Sequence, residues 1–172
     1  MTLHAKAEHH IEVHKFHSGV VAGAVFVALV LDVFIPRLLP RGAEYLELPF
    51  LVTLYFGLSR RNPVSGLLLG MVIGLLQDGL TGRVIGLFGL AKTVVGFVAS
   101  SIGGRLDVDH PLARLVLTMV FYFLHEGVLG VAKRLLLTEP GVFLTRDLLW
   151  ASLSNSVLAV LVFAGLDRLR KS

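Results

Sequence analysis

Cysteine is absent from the 172 residues, which excludes disulfides and thiolate chemistry. Charge is scarce as well. Asp, Glu, Lys and Arg make up 16% of the chain against 55% hydrophobic residues, outside the range of soluble globular domains. Catalytic signatures are missing too: the chain contains no H-E-x-x-H, no G-x-S-x-G and no P-loop. No A-x-A-like site follows the first apolar run, so that run reads as an uncleaved span rather than a signal peptide.

What remains is a small membrane domain. The mean hydropathy is +0.78, and the net charge of +4 comes from Lys and Arg scattered between apolar runs. Scattered cations fit anchoring at a membrane surface and argue against nucleic acid, which needs a clustered basic face. Residues 1–18 read as a cytoplasmic, histidine-rich segment, in which His10, His14 and His17 would share one helical face. With no Cys or paired acidic motif beside them, they read as a polar lead-in rather than a metal site. Residues 19–172 read as one all-α transmembrane domain.

Six apolar segments follow in order: 19–39, 46–58, 63–80, 85–102, 112–132 and 147–166. A crossing needs about 20 residues, so the second segment is short, and shielding by neighbours would let it stay in the membrane. With the N-terminus inside, nine Lys and Arg fall on the cytoplasmic side, Arg60 and Arg61 among them. Six fall outside, with Lys133 and Arg134 against the trend. The asymmetry places both termini in the cytoplasm.

The segment PVSGLLLGMVIGLLQD organises the rest. Gly66, Gly70 and Gly74 recur every fourth residue, and Asp78 stands at the next step. Such glycines would weaken a soluble helix, but in lipid they form a smooth face for close helix packing. Pro63 suits the first helical turn.

Asp32, Asp78, Lys92 and Glu126 interrupt the apolar runs, and the alternating topology places all four in the outer half of the membrane, with Asn155. Charge at that depth is costly, so these groups are expected to face inward and pair. Two readings stay open: a polar cavity that binds a substrate or partner, and an ion-paired network that fixes helix register. One cation among several acids is itself a sufficient reason for burial. Lys92 is expected to pair with Asp78 across the hairpin of the third and fourth segments. His125, beside Glu126, reads as a residue that hydrogen-bonds between helices.

The stretch from about residue 45 to 100 resembles the rod shape-determining MreD family. The pattern is Pro49 and Tyr55, then Pro63, Gly66, Gly70, Gly74 and Asp78, then Gly86 with Leu87. The resemblance implies a non-enzymatic scaffold of the bacterial inner membrane, without cofactor or metal. It would bind MreC directly and work with MreB, RodA and a class B penicillin-binding transpeptidase in peptidoglycan synthesis and cell shape. The glycine face and the Asp78 region would hold the membrane helix of MreC. MreD-like proteins are also similar in fold to the S-components of ECF transporters. That likeness supplies the alternative, a small-molecule (vitamin) binding membrane protein.

Overall fold

A computed structural model describes residues 16–38, 45–104, 110–138 and 145–169. His10 and His14 lie outside the described residues, and so does most of the histidine-rich segment. The described residues form six helices and no strand: α1 (Ser18–Leu38), α2 (Leu48–Arg60), α3 (Pro63–Thr81), α4 (Leu87–Ile102), α5 (Pro111–Leu136) and α6 (Arg146–Asp167). Each coincides with one of the six apolar segments.

Four of them, α1, α3, α5 and α6, are long and apolar enough to cross a membrane. At 13 residues α2 is about 20 Å long, well short of a hydrocarbon core of about 30 Å. Its environment explains how so short a helix is accommodated. Every residue from Leu48 to Ser59 is buried, and α2 touches all five other helices. It is the central post of the bundle, shielded by its neighbours. Phe50, Leu51, Leu54 and Phe56 on α2 are completely enclosed.

The outer faces are apolar. Leu68, Val72 and Leu76 on α3, Val116 and Val120 on α5, and Val157 and Leu161 on α6 are each about half exposed or more. In water this surface would be an aggregation hazard, whereas in a bilayer it is the lipid contact.

The chain reverses sharply between α2 and α3. Arg61 takes a left-handed conformation (φ 52°), and the Asn62 side chain then accepts the Ser65 N–H at 3.1 Å. Pro63 follows in the first turn of α3, where no N–H is required. Helices α3 and α4 form the tightest pair. A β-carbon at Gly66 would strike the Gly96 carbonyl, one at Gly70 the Lys92 carbonyl, and one at Gly74 the Phe88 carbonyl. Gly96 meets Gly66 in the same way from the other side. The glycine face is therefore used within the chain, against α4, which leaves it no surface for a partner's helix.

Candidate functional site, a buried polar layer

The four interrupting charges lie in one layer near one end of the bundle, but they are not paired as expected. Lys92 and Asp78 do not form an ion pair. Asp78 is fully buried and accepts three backbone N–H groups, from Gly86 (2.8 Å), Phe88 (3.1 Å) and Gly89 (3.1 Å). It caps the first turn of α4 from the end of α3. Helix N-termini leave N–H groups without partners and carry partial positive charge, so a carboxylate suits this position. Gly86, the N-cap of α4, has φ 105°, a conformation that side-chain-bearing residues rarely adopt. With its oxygens engaged and no exposed surface, Asp78 is a capping residue here and not a docking residue.

Lys92 has a different partner. Its Nζ lies 3.0 Å from Glu47 Oε2, with no exposure on the lysine side chain. The ammonium also sits 4.5 Å from the centre of the Phe88 ring, a cation–π contact. It lies 3.3 Å from His125 Nε2. An ammonium has only donors, so this contact is a hydrogen bond only in the tautomer in which Nε2 accepts. Nδ1 in turn faces Glu126 Oε1 at 3.2 Å. Glu47, Lys92, His125 and Glu126 thus form one chain of polar contacts from α2 through α4 to α5. Phe50 and Phe88 pack around the imidazole, with ring centroids at 5.3 and 5.8 Å.

Asn155 joins the cluster through the backbone. Its Nδ2 donates to the Tyr45 carbonyl (2.6 Å), and its Oδ1 accepts the Glu47 N–H (2.9 Å). It thereby holds the segment that presents Glu47 to Lys92. Asp32 stands apart from the lysine and accepts a hydrogen bond from Gln77 Nε2 at 2.9 Å.

Pro49 and Tyr55 are buried on α2 and serve packing. The Tyr55 hydroxyl donates to Asp167 Oδ1 (2.8 Å) at the opposite end of the bundle, where Arg114 pairs with Asp167 Oδ2 at 2.6 Å.

Glu47 is the member of the layer that sequence reasoning missed. It stands at the very start of the short second segment and passes for a boundary acid. The signal was arithmetic: a buried Lys92 needs an anion, and Glu47 is an acid at the right end of a neighbouring segment. Gln77 was missed for another reason, since an uncharged polar residue in an apolar run is easily read as neutral filler. Among the described residues no group of three or more His, Asp or Glu is placed to hold a metal.

The family model for MreD, rod shape-determining protein, matches residues 14–169, nearly the whole chain. The chain belongs to the MreD family. That makes it a shape-determining membrane protein, consistent with its lipid-facing helices. Neither the curated proteins nor the solved structures give a match, so the likeness to ECF S-components gains no support.

Proposed function

We propose that this MreD-family chain is a non-enzymatic scaffold that holds the membrane helix of MreC. Through MreC it would associate with MreB, RodA and a class B penicillin-binding transpeptidase, supporting peptidoglycan synthesis. Its place would be the inner membrane, with both termini in the cytoplasm.

One observation carries the docking part of this reading. Helices α1 and α6 make no contact with each other, and between them runs an apolar groove of about 470 Å³ floored by Leu48 and Val52 of α2. The groove reaches the central post from the side. Its walls carry small residues, Gly23, Ala24 and Ala28 on α1 and Gly165 on α6. In lipid, small residues favour helix association because they let backbones approach. The glycine ladder of α3 is already filled by α4, so the scaffold reading moves the partner helix to this groove.

The test uses the space at Gly23 and Gly165. A β-carbon at either would meet nothing within 4 Å. Gly23→Leu and Gly165→Leu should therefore leave the chain folded while filling the groove. Co-purified MreC is expected to drop several-fold with either variant. Leu161→Ala, on the lipid side of α6, should retain it. Full retention of MreC by both leucine variants would refute the groove as the docking site.

A further inference from the structure

The polar layer reaches the surface at a place separate from the apolar groove. Glu126, the last member of the Lys92 chain, lines a small cleft of about 210 Å³ with Tyr45, Tyr122, Thr145, Asp147, Leu148 and Ala151. The cleft holds two carboxylates, and no Lys or Arg is among the described residues that line it. The Glu126 side chain is 28% exposed and Asp147 is exposed, so both are open to a ligand. Neither charge is well compensated. Glu126 has the His125 ring as its contact, at 3.2 Å. Asp147 receives only a long contact, 3.4 Å, from the Tyr45 hydroxyl.

Tyr122 supplies an independent observation. It is 4% exposed, packed edge-on against Phe50, and lines the cleft. Its hydroxyl has no hydrogen-bond partner among the described residues. The ring is buried while the oxygen is not sealed from solvent, so the hydroxyl opens to the cleft and can accept a donor from outside the chain.

We infer that this cleft binds a primary ammonium group at the level of the lipid headgroups. Two carboxylates and the Tyr122 oxygen supply acceptors for its N–H donors. Tyrosine rings, Leu148 and Ala151 cover the attached carbon chain, and tyrosine faces attract the cation. A bare divalent metal would find too few ligands among the described residues. The position points to an aminophospholipid as the source. On the same stretch of α6, Leu149, Trp150 and Leu153 are exposed, and tryptophan concentrates where bilayer meets water. This inference rests on membrane placement and is independent of MreC binding.

The experiment uses the full chain in nanodiscs of phosphatidylcholine, with and without phosphatidylethanolamine. Lipid retained after extraction is counted by native mass spectrometry. A second arm adds free ethanolamine to the phosphatidylcholine discs and reads thermal unfolding, with choline, which has no N–H donor, as control. Phosphatidylethanolamine is expected to be retained over phosphatidylcholine by about fivefold, the scale of one partly exposed charge contact. Tyr122→Phe keeps the ring and Asp147→Asn alters only an exposed group, so both should fold, and both should reduce the preference. Stabilisation by ethanolamine, lost in both variants and without lipid preference, would assign the same ammonium site to a free amine. Equal retention of the two lipids with no ethanolamine effect would overturn the proposal. A lipid preference unchanged in both variants would overturn it as well.

Discussion

Lys92 Nζ lies 3.0 Å from Glu47 Oε2, although 45 residues separate the two in the chain. The pair ties the start of the central helix to the inner face of α4, in a layer with little water to compensate either charge. Breaking a buried pair leaves one group charged and alone, which costs about 3–5 kcal/mol. Lys92→Met and Glu47→Gln are each expected to lower folded yield and melting temperature. The double variant should recover part of the loss, and a double-mutant cycle on thermal unfolding measures the coupling. Additive losses would mean that the pair contributes nothing as a pair.

Asp78 should behave differently. Asp78→Ala removes acceptors from three N–H groups at the start of α4, and loss of a cap alone costs about 1 kcal/mol. The buried donors left behind add to that cost. Lys92→Met should not rescue it, because the two residues do not pair. Thermal unfolding of the single and double variants would decide the matter. A marked rescue would place the lysine on Asp78 after all.

Gly70→Leu should damage folding far more than Leu68→Ala. The first drives a side chain into the Lys92 carbonyl at the α3–α4 crossing, while Leu68 is 49% exposed on the lipid side. Detergent-soluble yield measures the difference. Gly70→Leu should also be much worse than Gly23→Leu, since Gly23 faces open space. Equal yields for all three would contradict the close crossing.

The end of the bundle that carries Arg60, Arg61 and Arg114 is expected to face the cytoplasm, as the Lys and Arg asymmetry requires. Reporter fusions at Asn62 and after Ser172 should both report a cytoplasmic location. An external signal from either would invert or break the proposed topology.

The number, order and approximate limits of the helices were legible in the sequence, because each is an apolar run closed by Gly, Pro or charged residues. The same holds for the small face of α3, since a four-residue glycine period is a helical property and needs no neighbour to be seen. Alternating spans of similar length also led to the expectation that Asp32, Asp78, Lys92, Glu126 and Asn155 stand at one depth. Partner choice within that layer did not follow. Several acids stand at similar depth around one lysine, and depth alone cannot rank them. The packing of α4 ranks them: its unpaired first-turn N–H groups take Asp78, and its next turn swings Lys92 toward α2 and α5, where Glu47 and His125 wait. Likewise, period shows that a glycine face exists but not what fills it. The close α3–α4 crossing fills it from within, and the failure of α1 and α6 to meet leaves a groove that only the tertiary structure could reveal. Local pattern determines which residues a helix offers on each side. The competition among six helices for those sides is decided by their packing together.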